Sequence, residues 1–285
     1  MKHYSSIPVV ILAGGLGTRL REETEFRPKP MVPIGGKPIL WHIMKSYAHF
    51  GFNKFIICLG YKGEVIKDYF LNYWVHSSTL TISTETGRCH RYQQLHDDWQ
   101  VTLVDTGIET QTAGRLGLIK DFIETDCFLM TYGDGLSSVN SKDLLAFHIM
   151  QNKMATLTAV YPPLRFGKLD IMDTSVTGFF EKECVQQEWV NGGFMVFNKE
   201  IFDRYDFSQL SVLERDVLPA LAKDRQLSAF KHSGFWHCMD TLRDNHHLES
   251  MWQRGDVPWK IWEDEELLFD VARINSFQHE FNHER

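Results

Sequence analysis

Three closely spaced glycines follow an apolar run near the start of the chain. Residues 7–13 are almost entirely apolar, and Gly14, Gly15 and Gly17 come next, with Thr18 and Arg19 behind them. Glycines allow backbone N–H groups to approach an anion without a Cβ in the way. Arginine adds a planar set of donors that suits phosphate oxygens. The pattern predicts a phosphate-binding loop, with an ordinary glycine-rich turn as the alternative.

This loop differs from two common phosphate-binding motifs. A P-loop ends in Gly-Lys-Ser/Thr, whereas Lys37 is followed by Pro38. A dinucleotide fingerprint needs a third glycine where Leu20 stands, and an acidic residue near the end of the second strand, where the chain has Gly60. The sequence therefore indicates a different class of nucleotide or phosphate site.

A lysine between two prolines follows the glycine loop. Pro28 and Pro30 restrict the backbone on either side of Lys29. A lysine fixed beside a phosphate loop suits charge stabilisation in phosphoryl or nucleotidyl transfer. The alternative is a solvated basic loop, the commoner environment of a lysine.

Two aspartates are candidate metal ligands. Asp134 follows an apolar strand and lies between glycines, and Asp240 precedes the last predicted helix. Mg²⁺ is commonly held by one or two carboxylates together with phosphate oxygens. The alternatives are a turn residue for Asp134 and a helix cap for Asp240, which the local pattern alone favours.

Weaker candidates lie in the second half of the chain. Glu181 and Lys182 could bind a sugar hydroxyl and its phosphate, or form a surface ion pair. Asn191 precedes Gly192 and Gly193, which could admit a polyol or mark a β-bulge.

Strand and helix patterns alternate along the first 160 residues, which predicts an α/β fold with a mostly parallel sheet. We expect strands at 7–13, 55–59, 101–104, 127–131 and 155–160, a long loop at 14–38, and helices at 38–51, 64–74, 114–123 and 141–151. The later part has a more mixed pattern, with expected strands at 169–172, 176–181, 190–197 and 227–230, and helices at 212–223 and 241–253. We expect one domain at 7–262, divided into halves at 7–160 and 161–262, and a polar tail at 263–285.

Composition narrows the class of protein further. The chain has 285 residues, 43% of them hydrophobic, and a formal net charge of -7, which argues against a nucleic-acid-binding protein. The five cysteines are dispersed, which argues against a disulfide framework or a zinc knuckle. The absence of a membrane-length apolar run or a signal-like start leads us to expect a cytoplasmic protein.

The loop at 14–19 together with Pro28, Lys29 and Pro30 resembles the signature of sugar-phosphate nucleotidyltransferases. Longer blocks are similar to the branch that transfers a cytidylyl group to glucose 1-phosphate, and they are GGKPILWHIM (35–44), LVDTG (103–107), YGDG (132–135), RFG (165–167), NGGF (191–194), GFW (234–236) and MDTLRD (239–244). The resemblance spans residues 9–262.

The resemblance implies a Rossmann-like nucleotidyltransferase core with a mixed sheet and a smaller sugar-binding part. It implies conversion of CTP and α-D-glucose 1-phosphate to CDP-glucose and pyrophosphate with Mg²⁺. It further implies a role in the synthesis of lipopolysaccharide O-antigens and similar glycans, and a homo-oligomer, possibly a hexamer, with subunit contacts in the stretch 74–99.

The resemblance also implies roles for individual residues. Residues 14–18 would hold the CTP phosphates, Arg19 and Lys29 would neutralise the triphosphate, and Asp134 and Asp240 would hold Mg²⁺. The sugar phosphate would meet Lys182, and the glucose hydroxyls would meet Glu181, Asn191 with Gly192, and Asp170. The base would be read near Thr106, Gly107 and Arg115.

Two positions depart from the family pattern. Glu183 stands where proline is usual, and His237 stands where glutamine is common. Both lie in the predicted sugar half, so a cytidylyltransferase for another phosphorylated acceptor is the first alternative. A glycosyltransferase that consumes a nucleotide sugar and a non-enzymatic protein of the same fold are the others. The charged positions from Arg19 to Asp240 argue against the last of these.

Overall fold

The computed structural model describes residues 4–92, 97–162, 168–180 and 188–263. The strands are β1 (Val9–Leu12), β2 (Pro33–Ile34), β3 (Lys37–Pro38), β4 (Lys54–Leu59), β5 (Thr79–Ile82), β6 (Cys89–Tyr92), β7 (Gln100–Asp105), β8 (Cys127–Tyr132), β9 (Gly135–Ser137), β10 (Ala155–Val160), β11 (Lys168–Met172), β12 (Ser175–Phe180), β13 (Val190–Asn198), β14 (Leu227–Lys231) and β15 (Trp236–Cys238). The α-helices are α1 (Arg21–Thr24), α2 (Ile39–His49), α3 (Gly63–Leu71), α4 (Tyr73–His76), α5 (Thr112–Leu118), α6 (Ser141–Gln151), α7 (Ile201–Arg204), α8 (Leu218–Lys223) and α9 (Leu242–Gln253).

A seven-stranded mixed sheet forms the centre of the molecule, in the order β14-β10-β13-β8-β1-β4-β7. β8, β1, β4 and β7 are parallel neighbours, and β10 is parallel to β14. Among the described strands of this sheet, β13 alone runs antiparallel to its neighbours, β8 and β10. The structure confirms the expected α/β class with a mixed sheet.

The sheet is covered by apolar side chains on both faces, as the continuous apolar runs of its strands require. In β1, Val9 and Ile11 join one core cluster, and Val10 and Leu12 join the other. The first cluster also receives side chains from α2, α6 and α9, and the second from α5, α7 and α8. Because β1 is buried on both faces, the start of the glycine loop that follows it is held in a fixed position.

The sheet draws on both predicted halves of the chain. β13 and β14 follow residue 161, yet β13 lies between β8 and β10 in the same sheet. The expected division at 160 therefore falls between two sheet neighbours. Residues 264–285, most of the expected tail, lie outside the described residues.

Some expected elements have different limits. The expected loop at 14–38 contains α1 and the short β2–β3 pair, and the expected helix at 114–123 begins and ends earlier, as α5. The expected helix at 212–223 begins with a π-helical turn, Leu213–Val217, before α8. Local apolar spacing does not determine these limits, because the partners of a helix's terminal backbone groups can lie far away in the chain. The N–H of Leu213, for example, donates to Oγ1 of Thr112 at 2.8 Å.

The short strand pair β9–β15 was not expected from the sequence. β9 pairs antiparallel with β15, and Gly135 is opposite Cys238. The backbone N–H of Met239 also donates to the carbonyl of Asp134 at 2.9 Å. The pair joins two segments about a hundred residues apart and brings Asp134 close to Asp240.

Two antiparallel hairpins, β5–β6 and β11–β12, stand apart from the main sheet. Among the residues that the structure describes, no helix is long and apolar enough to cross a membrane.

Candidate active site

An open cavity of about 480 Å³ lies at the carboxyl ends of β1 and β8. In an open α/β sheet this edge is where ligands usually bind. The cavity is lined by much of the set expected from the sequence, namely Gly14, Gly15, Gly17, Thr18, Arg19, Lys29, Arg115, Asp134 and Asp240. The fold therefore brings the glycine loop, the proline-flanked lysine and both candidate metal ligands to one place.

The glycine loop has its conformation fixed by close neighbours. Gly17 has a φ of 62°, and a Cβ there would lie 2.7 Å from Cγ2 of Thr24. The hydroxyl of Thr24 donates to the carbonyl of Gly17 at 3.2 Å, and this hydrogen bond stabilises the turn. A residue with a side chain at position 17 would meet both a strained φ and a steric clash.

Arg115 ties the loop to the ends of two strands. Its Nη2 donates to the carbonyl of Gly14 at 3.1 Å, and its Nη1 donates to the carbonyl of Leu59 at 3.0 Å and to Oγ1 of Thr106 at 2.6 Å. The residue is only 4% exposed, and burial lowers the pKa of its guanidinium. This arginine braces the loop and the floor of the cavity.

Lys29 begins a short turn that the prolines hold in place. Pro30 is buried and packs so closely on Gly133 that a Cβ at Gly133 would lie 2.8 Å from its Cγ. The backbone N–H of Met31 closes the turn on the carbonyl of Pro28 at 2.8 Å. The lysine is thereby fixed against the segment that carries Asp134.

The ammonium of Lys29 lies between the two aspartates. Its Nζ is 2.5 Å from Oδ2 of Asp134 and 2.7 Å from Oδ1 of Asp240. Nη1 of Arg19 is 3.0 Å from Oδ2 of Asp240, although the Arg19 side chain is largely exposed. Two positive and two negative groups thus form one cluster on the cavity wall.

The cluster keeps its lysine charged. Burial disfavours the ammonium of Lys29, but the charge of Asp134 and hydrogen bonds to both aspartates outweigh burial and raise its pKa. Burial raises the pKa of the neighbouring Cys238 thiol, and the charge of Asp134 raises it further. Cys238 is therefore a neutral thiol beside a charged lysine.

The position of Asp240 depends on the cap of α9. Thr241 is the N-cap, and it forms a capping box with Asp244. The alternative interpretation of Asp240 as the helix cap is wrong, because Thr241 fills that position, and the Asp240 side chain contacts Lys29 and Arg19 instead. The carboxylate of Asp244 also accepts a 3.2 Å hydrogen bond from the backbone N–H of Asp240, which helps to fix the backbone of Asp240.

The donor atoms fit a divalent metal ion. One ligand atom from each of Asp134, Cys238 and Asp240 can be chosen so that all three lie within 4.8 Å of one another. Two carboxylates at the edge of an open, polar cavity are the ligand type that hard divalent cations prefer. The close approach of the lysine to both carboxylates shows that positive charge is stabilised between them.

Other residues expected at the site lie at or beyond its margin. Thr106 is buried at the end of β7, and Gly107 is exposed just before the lining segment 108–112. Asn191 and Gly192 lie at the start of β13. Asp170 is exposed in the β11–β12 hairpin. Glu181, Lys182 and Glu183 lie outside the described residues, as does the 165–167 block.

Sequence reasoning missed a hydrogen-bonded group that joins two lining residues, Tyr132 and Thr112, to Glu214. The hydroxyl of Tyr132 donates to Glu214, and the hydroxyl of Thr112 donates to the same carboxylate at 2.8 Å. Burial raises the pKa of Tyr132, and the charge of Glu214 adds to the shift. Tyr132 could have been singled out, because it directly precedes Gly133 and Asp134, but nothing local points to Glu214.

The sequence profile of the family described as Nucleotidyl transferase matches residues 8–264. With the cavity, the glycine loop and the acidic pair at the sheet edge, this match identifies the class: the chain belongs to the nucleotidyl transferase family. Membership favours nucleotidyl transfer over the glycosyltransferase and non-enzymatic alternatives.

Two relatives are similar over nearly their whole length. Glucose-1-phosphate cytidylyltransferase of Salmonella typhi is 50% identical over 255 residues, covering 89% of this chain and 99% of that protein. Probable glucose-1-phosphate cytidylyltransferase of Bacillus subtilis (strain 168) is 43% identical over 254 residues, with the same shares covered.

A solved structure has the same fold. HddC from Yersinia pseudotuberculosis, complexed with GMP-PN, has a TM-score of 0.63 and 24% sequence identity, covering 86% of this chain and 99% of that one. At this identity the similarity establishes the fold alone.

Proposed function

We propose that the protein is a cytidylyltransferase that converts CTP and α-D-glucose 1-phosphate to CDP-glucose and pyrophosphate. The observation that carries the proposal is the 50% identity to the Salmonella typhi enzyme over 99% of its length. The cavity supports the same conclusion, because it combines a glycine loop with two cations and two carboxylates.

The reaction is an in-line displacement at phosphorus. A phosphate oxygen of glucose 1-phosphate attacks the α-phosphorus of CTP and forms the new P–O bond. The bond from the α-phosphorus to the oxygen that bridges to the β-phosphate breaks, and pyrophosphate leaves with its electron pair. The nucleophile is already anionic, so no general base is needed, and catalysis depends on position and charge.

The chain supplies that position and charge from the cavity wall. The backbone N–H groups of Gly14, Gly15, Gly17 and Thr18 bind the triphosphate in this account. Lys29 and Arg19 neutralise the charge that grows on the leaving pyrophosphate. The ion pairs of Lys29 support this role, because they keep a charged ammonium next to the glycine loop.

Asp134 and Asp240 are the proposed ligands of Mg²⁺. When bound, the ion supplies positive charge to the phosphate oxygens of the nucleotide. The capped start of α9 supports the assignment of Asp240, because it fixes that carboxylate opposite Asp134.

Base and sugar recognition are assigned to residues around this centre. We propose that the cytosine is read beside Thr106, Gly107 and Arg115, the residue that links Thr106 to the glycine loop. The glucose phosphate and hydroxyls are assigned to the later part of the chain, and these residues are Asp170, Glu181, Lys182, Asn191 and Gly192.

The wider setting follows from the product. A nucleotide-activated glucose is a donor for glycan synthesis, and we propose that the enzyme supplies lipopolysaccharide O-antigens or similar glycans. We propose a cytoplasmic homo-oligomer, possibly a hexamer. The dispersed cysteines support a reducing compartment.

A comparison of phosphorylated acceptors tests the proposal against its main alternative. CTP and Mg²⁺ are supplied with glucose 1-phosphate, mannose 1-phosphate, glucose 6-phosphate or inositol 1-phosphate, and the product is identified by mass spectrometry. CDP-glucose as the dominant product supports the proposal. A faster reaction with another acceptor would assign the enzyme to that acceptor and would point to His237 and Glu183 as sites to exchange.

A further inference from the structure

The ammonium of Lys29 occupies the space between the two proposed metal ligands. Its Nζ is within 2.7 Å of one oxygen from each aspartate, Asp134 and Asp240. The guanidinium of Arg19 contacts the other oxygen of Asp240. The two cations that the reaction needs are thus paired with the two carboxylates that the metal needs.

The lysine and a shared metal ion exclude each other in this arrangement. Mg²⁺ requires oxygen ligands at about 2.0–2.1 Å and near-ideal geometry. An ion bound to the two oxygens that contact the ammonium would have to enter the space that the ammonium now fills, against the repulsion between like charges. Those two oxygens therefore cannot bind a divalent ion together until the lysine side chain leaves.

Lysine is suited to such an exchange of partners. Its backbone is fixed by Pro28 and Pro30, but its charge is carried at the end of a flexible four-carbon chain. The glycine loop lines the same cavity, so a triphosphate bound there would offer the ammonium new anionic partners. The lysine would then exchange carboxylate oxygens for phosphate oxygens.

We propose that Lys29 acts as an internal counter-cation that keeps free divalent metal out of the nucleotide-free site, so that metal and triphosphate bind with positive coupling. This inference rests on the proposed function for the identity of the nucleotide and metal site. Coupling of this kind is reciprocal, so each ligand raises the affinity for the other by the same factor.

Binding of Mn²⁺ alone tests the inference. Free Mn²⁺ is followed by electron paramagnetic resonance as it is titrated into the full-length protein without nucleotide or sugar. Lys29→Met should bind Mn²⁺ at least tenfold more tightly than the unmodified protein, because the competing charge is gone. Lys29→Arg, which keeps a cation there, should stay close to the unmodified protein.

Two further variants show where the Lys29→Met protein binds the additional Mn²⁺. The double variant Lys29→Met with Asp240→Asn should bind Mn²⁺ no more tightly than the unmodified protein. That result would show that the aspartates, and not surface histidines, hold the additional ion. Lys67→Met is the matched control, because Lys67 pairs with Asp105 outside the cavity at 2.6 Å. Circular dichroism and thermal melting establish that each variant is folded.

Equal Mn²⁺ affinity in the folded Lys29→Met variant and the unmodified protein would overturn the inference. A gain that persists in the double variant would overturn it too. Neither result bears on the proposed reaction, because the titration contains no nucleotide or acceptor. A different base or acceptor in the activity assays would likewise leave the Mn²⁺ result unaffected.

Discussion

The backbone N–H of Asp240 donates a 3.2 Å hydrogen bond to the carboxylate of Asp244. Asp244 is also the partner of Thr241 in the capping box of α9. One carboxylate thus caps a helix and fixes the residue that meets Lys29. A local helix signal in the sequence thereby becomes part of the active-site geometry.

Removal of the cap should affect both stability and metal use. Thr241→Val removes the hydroxyl that binds Asp244 and should cost about 1 kcal/mol of unfolding free energy. Because Asp240 is then held less firmly, the Mg²⁺ concentration for half-maximal activity should rise several-fold. Asn140→Ala removes the cap of α6 instead. It should cost similar stability and leave the Mg²⁺ requirement unchanged, and an equal rise in both variants would contradict the account.

Loss of the lysine charge should abolish most of the turnover. Lys29→Ala should lower kcat by about a hundredfold or more, as expected when a charge partner of the transition state is removed. Lys67→Ala, which removes a lysine paired with Asp105 outside the cavity, should have little effect. The test is steady-state pyrophosphate release by both variants, with circular dichroism as the check on folding. Normal turnover in Lys29→Ala would reduce Lys29 to an ordinary loop residue.

Adjacent glycines in the loop should respond differently to the same change. A Cβ at Gly14 would lie 2.0 Å from Nη1 of Arg115, whereas a Cβ at Gly15 would meet nothing within 4 Å. Gly14→Ala should therefore displace the arginine, break part of its network and lower the unfolding free energy by about 1–3 kcal/mol. Gly15→Ala should leave the melting temperature nearly unchanged. Equal melting temperatures for the two variants would show that Arg115 does not brace the loop.

The stability of the fold should fall in mild acid because of His42. This side chain is fully buried, its Nε2 lies 2.8 Å from the carbonyl of Ile34, and burial lowers its pKa from 6.5 to about 4. As the pH falls, the unfolded chain takes up the proton first, so the stability present above about 6.5 is lost between about 6.5 and 4.

His42→Gln isolates this contribution. The difference in unfolding free energy between the unmodified protein and this variant should shrink by about 2 kcal/mol between pH 7.5 and pH 5. Urea unfolding at several pH values measures the difference, in which the titration of other groups cancels. A difference that does not change with pH would contradict the assignment of a neutral, buried His42.

Helices and loops that are marked by nearby residues, such as a cap or a group of glycines, could be predicted from the sequence. Helix α6 begins and ends where expected, and the side chain of Asn140 caps its first turn. The glycine loop was singled out for the same reason, because its glycines directly follow β1, and the structure places it at the cavity.

Long-range pairing was beyond such signals. The place of β13 between β8 and β10 depends on partners far away in the chain, and so does the pairing of β9 with β15 that joins Asp134 to Asp240. The role of Arg115 is of the same kind, since its partners come from three separate segments. The sequence predicts which residues lie at the carboxyl ends of strands. It does not predict the order of the strands, and that order decides which of these side chains come into contact.

The most direct test of the central claim is a comparison of nucleotides. Pyrophosphate release is measured with Mg²⁺ and glucose 1-phosphate, with CTP, UTP, dTTP or ATP supplied in parallel. We expect rapid release with CTP and little with the other three. Release that is faster with UTP, dTTP or ATP than with CTP would contradict the assignment of cytidylyl transfer.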